Sequence, residues 1–250
     1  MELKEAAYVT AYIRGGAGGY ISIFTDDGTE SAADISTDCW AFESVTVKLN
    51  EVLNGTHKIA LKITEGAKRM PDFMWLKFMT EDEYTQFCKR SRIAAVGTLA
   101  DRNGFTSYFT QMLDSEKYQF KNFRADNIGA ADINALTVYA PDTAMIMFGG
   151  AEAAKNVIDD SFADNYQTLI DALKSANPDV KIYIMTPTPM QKADARPNYS
   201  GVIEELVRIA SANDAEIIDL YGEMINFGVP MEYFVVSDTR DNLTDSGLRF

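Results

Sequence analysis

Ile93-Ala94-Ala95-Val96-Gly97-Thr98-Leu99-Ala100-Asp101-Arg102-Asn103-Gly104 decides the fold: a short apolar run ends in a glycine and a polar loop, and a helical pattern follows at Ser107–Leu113. The same succession recurs downstream. Apolar runs at Ala144–Phe148, Ile182–Met185 and Glu216–Ile218 alternate with helical periodicity over Ser161–Ala176 and Tyr199–Asn213. Short apolar strands alternating with helices predict a parallel sheet flanked by helices on both faces. Ligands of such sheets bind beyond the C-terminal strand ends, which directs attention to the segments after Val96, Phe123, Phe148, Met185 and Leu220.

Upstream of Thr80 the period is different. Alternating runs at Ala7–Ile13, Tyr20–Phe24, Ser44–Leu49, Lys58–Ile63 and Met74–Phe78 are separated by turn residues at Gly15–Gly19, Asp26-Asp27-Gly28, Asn54-Gly55 and Glu65-Gly66. Period-2 segments at this spacing predict an all-β, jelly-roll-like sandwich. The expected organisation is therefore a sandwich over 1–80, a polar linker over 81–91 and an α/β domain over 92–250.

Composition narrows the function. The chain of 250 residues has 46% hydrophobic and 24% charged residues, as folded globular proteins do, and a formal net charge of -14. The acidity is spread along the chain without a basic patch, so a nucleic acid partner is excluded on electrostatic grounds. No apolar run is long enough to span a bilayer, and a membrane partner is not expected. Cys39 and Cys88 are too few for a disulfide framework and are not spaced as metal ligands. Asp238, Asp241 and Asp245 lack the spacing of a calcium loop, so no metal site is expected there.

The blocks beginning at Gly97 resemble those of the SGNH (GDSL-type) hydrolases, in order and in spacing. Gly97-Thr98-Leu99 stands at the Gly-Asp-Ser block, Asn122–Asn127 at the second block, Pro141–Glu152 at the third, Lys181–Pro189 at the fourth, and Ser237–Gly247 at the last. The resemblance covers Arg92–Gly247 and implies a flavodoxin-like α/β fold and an ester-cleaving triad. Carried over position by position, it puts Leu99 at the nucleophilic serine, Asn127 at the oxyanion glycine, Ala151 at the oxyanion asparagine and Asn242 at the catalytic histidine. Asp238 stands nearest the triad acid. A leucine methyl cannot attack a carbonyl, and a carboxamide cannot shuttle protons near neutral pH. Thr98 and Glu152 are the groups from which a rearranged site could be built. His57, the chain's one histidine, lies in the other half, in a presumed Asn54–His57 hairpin.

The segment Tyr8–Phe78 resembles the later part of family 6 carbohydrate-binding modules, through Ser36–Phe42, Leu53–Leu61 and Asp72–Phe78. The resemblance implies that Trp40 stacks on a sugar face and that Asp72 accepts sugar hydroxyls, while Trp75, on an alternating strand, is expected in the core. It also implies a module lacking its first strands, with room for a structural calcium ion but no catalytic cofactor. Likewise, the α/β part is expected to lack the family's last helix. Together the two resemblances imply an extracellular, carbohydrate-associated protein with a polysaccharide or oligosaccharide partner. Its esterase-like domain is expected to be catalytically inactive; the alternative is an active carbohydrate O-acetylesterase with a rearranged site.

Overall fold

The computed structural model describes residues 1–15, 19–37, 42–63, 71–98, 105–155, 157–189 and 199–227. Trp40, Leu99, Asp238 and Asn242 lie outside these residues. The chain divides into two compact units: Met1–Ser91 with Phe109–Phe120, and Arg92–Tyr108 with Lys121–Phe250.

The first unit contains two antiparallel three-stranded sheets. In one, β1 (Glu2–Arg14) lies between β4 (Glu43–Thr56) and β6 (Asp72–Met79); in the other, β2 (Tyr20–Thr25) lies between β3 (Ala33–Ser36) and β5 (Ile59–Ile63). One apolar cluster draws on both sheets: Val9, Ala11 and Ile13 of β1 and Leu49 of β4 join Ile21 and Ile23 of β2 and Ile35 of β3. The alternation of β1 accounts for this, because every second residue faces that cluster. Tyr12 faces the other way, with its hydroxyl donating to the Thr110 carbonyl at 2.6 Å. Its cross-strand partner Trp75 stacks on it, with ring centroids 5.4 Å apart. Trp75 is thus half-buried on the outward face of its strand, whereas Leu76 and Phe78 of the same strand pack on the cluster, so its expected core placement is corrected.

The Asn54–His57 hairpin is corrected as well. Asn54 and Gly55 belong to β4, where Gly55 pairs with Leu3 at a φ of 93°, and the chain then crosses to the other sheet as β5. His57 sits at that crossing. One ring nitrogen meets Asp26 Oδ2 at 2.9 Å and the other meets the Asn54 carbonyl at 3.0 Å. The hydrogen bond to Asp26, followed by that to Asn54, raises the imidazole pKa above its ordinary 6.5. Asp26 is lowered from 3.8, first by the Lys58 backbone N–H and then by His57. The His57 contribution is therefore complete below pH 6.5 and fades as pH rises through the raised value. The Asp26 contribution is complete above pH 3.8 and fades as pH falls through the lowered value. An NMR titration of this single histidine is expected to give a midpoint above 6.5, brought down by Asp26→Asn; a parent midpoint at or below 6.5 would contradict the clasp.

The stretch 81–91, read from sequence as a linker, holds helix α1 (Glu81–Phe87). Thr80-Glu81-Asp82-Glu83 is a capping box. The Glu83 backbone N–H donates to Thr80 Oγ1 at 3.2 Å, and the Thr80 backbone N–H donates to Glu83 Oε2 at 2.8 Å. Phe87 is buried under the Arg90 guanidinium, whose carbon lies 3.2 Å from the ring centroid.

The second unit is built on a five-stranded sheet, in the order β11 (Glu216–Ile218), β10 (Lys181–Met185), β9 (Thr143–Met147), β7 (Ser91–Gly97), β8 (Tyr118–Arg124). β9 pairs in parallel with both β7 and β10, and β10 with β11. The order reverses between β7 and β9, which is the switch point of a flavodoxin-like sheet. Ala94, Ala95 and Val96, and likewise Ala144–Phe148, are buried without interruption, as strands covered on both faces must be. The remaining helices are α2 (Phe105–Met112), α3 (Ile133–Tyr139), α4 (Gly150–Lys155), α5 (Ser161–Ala176), α6 (Tyr199–Asn213) and α7 (Leu220–Asn226).

Helix α5 buries Phe162, Tyr166, Leu169, Ile170 and Leu173, and α6 buries Val202, Leu206, Ile209 and Ala210: one apolar stripe each. Asn213, buried at the end of α6, exchanges two amide hydrogen bonds of 2.9 Å with Gln167 of α5. At the N-terminal edge of the sheet Asp142 ties three strands together. Its carboxylate accepts from the Arg92 N–H at 2.7 Å, its own N–H donates to the Arg92 carbonyl, and its carbonyl accepts from Lys181. The Pro141-Asp142 pair of the third block is thereby explained as a strand anchor, at the edge opposite to the strand ends where ligands bind.

Candidate functional site

Three strand ends build the cleft edge of the second unit, and two glycines let them meet. Gly97 closes β7 at a φ of 108°, where a Cβ would lie 2.3 Å from the Met147 carbonyl oxygen. Gly149 follows β9 at a φ of 110°, where a Cβ would lie 2.6 Å from Val202 Cγ1. Both conformations belong to glycine, and both positions also lack space for any side chain. Between them, Thr98 N–H donates to the Met147 carbonyl at 3.2 Å, and the Ala125 N–H after β8 donates to the Gly97 carbonyl at 3.4 Å.

The side chains presented here are few. Thr98 is exposed, and its hydroxyl donates to the Met147 carbonyl at 3.3 Å. That bond aims the proton at a peptide oxygen and not at a base. Asn127 is exposed in extended backbone (φ -147°, ψ 162°) before a 3-10 turn, and its side chain makes no capping bond. Beside Gly129 its Oδ1 and the Asn165 Nδ2 would each lie 3.5 Å from a Cβ, so two amides flank that glycine. Ala151, in the first turn of α4, is exposed. Glu152 is half-buried next to it.

Behind the cleft, the Tyr166 hydroxyl accepts from the Phe148 N–H at 3.3 Å. Burial pushes the Tyr166 phenol far above its usual range, with the Glu152 charge adding to this. A neutral phenol thus fixes the end of β9 without taking part in proton transfer. Sequence reasoning missed Tyr166 and Asn165, which lie inside an ordinary amphipathic helix pattern and carry no local signal.

The structure brings Thr98 to the end of β7, Asn127 to the segment after β8, and Ala151 with Glu152 to the start of the helix after β9. Leu99, Asp238 and Asn242 belong to the stretches outside the described residues. Among the described residues no group of three or more metal-ligating side chains gathers. His57 keeps both ring nitrogens engaged within the first unit.

In the first unit Asp72 opens β6 directly across from Arg14 of β1, and its Oδ2 accepts from Arg14 Nε at 2.9 Å and from Nη2 at 2.6 Å. The same guanidinium lies 5.1 Å from the centroid of Phe42. Thr37 N–H donates to the Gly19 carbonyl at 2.9 Å, and Phe42 N–H donates to Thr110 Oγ1 at 3.3 Å. Asp72 and Phe42 therefore share one end of the β4-β1-β6 sheet.

Comparison with known proteins gives a match to the GDSL-like Lipase/Acylhydrolase family over residues 84–243. A solved lipase/acylhydrolase from Enterococcus faecalis superposes with a TM-score of 0.52 at 16% identity, covering 63% of this chain and 89% of its own. A Lactobacillus plantarum protein gives 0.50 at 13% identity, covering 64% and 91%. An active-site mutant of a family two carbohydrate esterase from Clostridium thermocellum aligns over 98% of this chain and 86% of its own, with a TM-score of 0.49 at 12% identity. No curated protein matches the sequence.

Proposed function

The chain belongs to the GDSL-like lipase/acylhydrolase family, and from that premise we propose that it is a carbohydrate-associated member whose hydrolase-like unit binds without cleaving. The observation that carries this reading is Ala151. At the position where the family places its oxyanion asparagine, a methyl group is exposed beside the Gly149-Gly150 turn. Leu99 and Asn242, at the nucleophile and base positions in the sequence, deprive the site of its other two reagents. The Thr98 hydroxyl, already donated to a carbonyl, and the engaged imidazole of His57 support the same reading.

The first unit, in this reading, is a β-sandwich carbohydrate-binding module. Its sugar-binding residues would be Trp40 and Asp72, whose carboxylate Arg14 orients. An aromatic plane offers a sugar ring apolar area at little cost in side-chain entropy. Retention on insoluble xylan tests this part. Trp40→Ala is expected to weaken retention about tenfold, which corresponds to about 1.4 kcal/mol; retention equal to that of the parent would remove Trp40 from these residues. Hydrolysis of an activated acetyl ester well above background would instead favour the O-acetylesterase reading.

A further inference from the structure

Where the first unit crosses from one of its sheets to the other, a single imidazole ties separate segments of chain together. His57, with its side chain 17% exposed, places Nδ1 2.9 Å from Asp26 Oδ2 in the turn after β2, and Nε2 3.0 Å from the Asn54 carbonyl of β4. Its backbone is fixed separately, by bonds of 2.7 and 2.8 Å with Met1. Asn54 in turn accepts the Glu5 N–H on its Oδ1 at 2.8 Å, at a bulge of β1 where Glu5 has a φ of 48°. The other oxygen of Asp26 accepts the Lys58 N–H at 3.0 Å, and the Asp26 N–H donates to the Lys58 carbonyl at 2.7 Å. Leu3, Leu53 and Ile59 flank these residues in sequence and belong to the apolar cluster that both sheets share.

Both groups that meet the ring are acceptors. A carbonyl has no proton to give, and neither has the Asp26 carboxylate once ionised. A neutral imidazole carries one N–H and satisfies one of the two, leaving a nitrogen lone pair against the oxygen of the other. The imidazolium carries two N–H groups and satisfies both, one of them in a charge-assisted bond. The geometry therefore selects the charged ring. Among the charged groups around it, Asp26 favours the cation and the Met1 amino group opposes it. Lys58 turns its ammonium to Asp27 at 3.3 Å, while Glu2, Lys4 and Glu5 of β1 and Glu51 of β4 are exposed to solvent.

We propose that His57 is a proton-operated clasp: doubly protonated, it ties the turn after β2 to the crossing from β4 to β5, and loss of one proton to solvent releases one of its two partners and loosens this end of the unit. Neither the block positions nor the sugar-binding residues enter into it.

Amide hydrogen exchange of the full chain tests the clasp, read as protection factors so that the base dependence of the intrinsic rate cancels. As pH rises from below 6.5 through the NMR midpoint of His57, protection at Asp26 and Lys58 is expected to fall about three- to tenfold, the worth of one net hydrogen bond. Protection of β9 amides in the second unit is expected to stay level over the same range. Asp26→Asn distinguishes the clasp from a merely structural contact. An asparagine can keep its oxygen for the Lys58 N–H and turn its NH2 toward Nδ1, so the neutral ring then satisfies both partners and the imidazolium does not. In that variant protection is expected to be higher at high pH and lower at low pH, the reverse of the parent. His57→Gln, which has no imidazole to titrate, is expected to give a level profile. Parent protection that stays level across the histidine midpoint, an Asp26→Asn profile with the parent's sign, or a fall that persists in His57→Gln would each overturn the proposal.

Discussion

Gly97→Ala is expected to destabilise the α/β unit by about 4 kcal/mol, among the largest losses a single added methyl group can cause. Two effects combine. The φ of 108° is strained for any residue with a Cβ, and the added atom would stand 2.3 Å from the backbone oxygen of Met147, which cannot rotate away. Relief requires β7 and β9 to part at the switch point, where Thr98 is bonded to the same carbonyl. Gly55→Ala separates the two effects, because Gly55 has a φ of 93° but nothing within 4 Å of an added Cβ. That variant is expected to lose only about 1 kcal/mol, from backbone strain alone. Hydrogen exchange of β7 and β9 amides, read beside urea unfolding, measures both. A Gly97→Ala loss no greater than that of Gly55→Ala would contradict the close approach of the two strands.

Turnover of an activated acetyl ester, such as 4-nitrophenyl acetate, is expected to stay at the level of the uncatalysed reaction in the presence of this protein. A working serine triad loses about a millionfold in turnover when its serine or histidine alone is removed. In the proposed reading both positions, with that of the oxyanion amide, are taken by Leu99, Asn242 and Ala151. Among the described residues the remaining groups do not form a substitute. Thr98 directs its hydroxyl at a carbonyl, Tyr166 is buried and neutral, and His57, the one histidine of the sequence, keeps both ring nitrogens engaged within the first unit. Thr98→Val and Glu152→Gln are accordingly expected to leave the low rate unchanged. A drop in either variant from a measurable parent rate would identify a rearranged catalytic group.

The α/β half was legible because burial on both faces of a parallel sheet forces uninterrupted apolar runs. Ala94–Val96 and Ala144–Phe148 read as strands from hydrophobicity alone, and α5 and α6 from their 3.6-residue stripes. Gly97 also stood out, as the glycine ending such a run. Other elements lacked a comparable signal. Ala33-Asp34-Ile35-Ser36 is a four-residue strand, too short for its alternation to register. The capping box at Thr80–Glu83 is a helix start that the polar character of the stretch concealed. Asn54-Gly55 has the composition of a tight turn, yet pairing with β1 keeps it inside a long strand, so tertiary contacts overrode the local preference. Trp75 satisfies the alternation rule, but alternation alone does not say which side of a sheet meets the core. That was decided by the Tyr12–Thr110 bond, formed across 98 positions of chain. In the candidate site, Thr98, Asn127, Ala151 and Glu152 follow strands marked by apolar runs or block spacing, whereas Asn165 comes beside Gly129 through helix packing that spacing does not encode.

The proposed site has no activated nucleophile, and reaction with a fluorophosphonate probe tests this most directly. The protein is expected to incorporate far less than one equivalent, at a rate no higher than that of its heat-unfolded form. Stoichiometric labelling of the folded chain, lost on unfolding or in Thr98→Val, would contradict it.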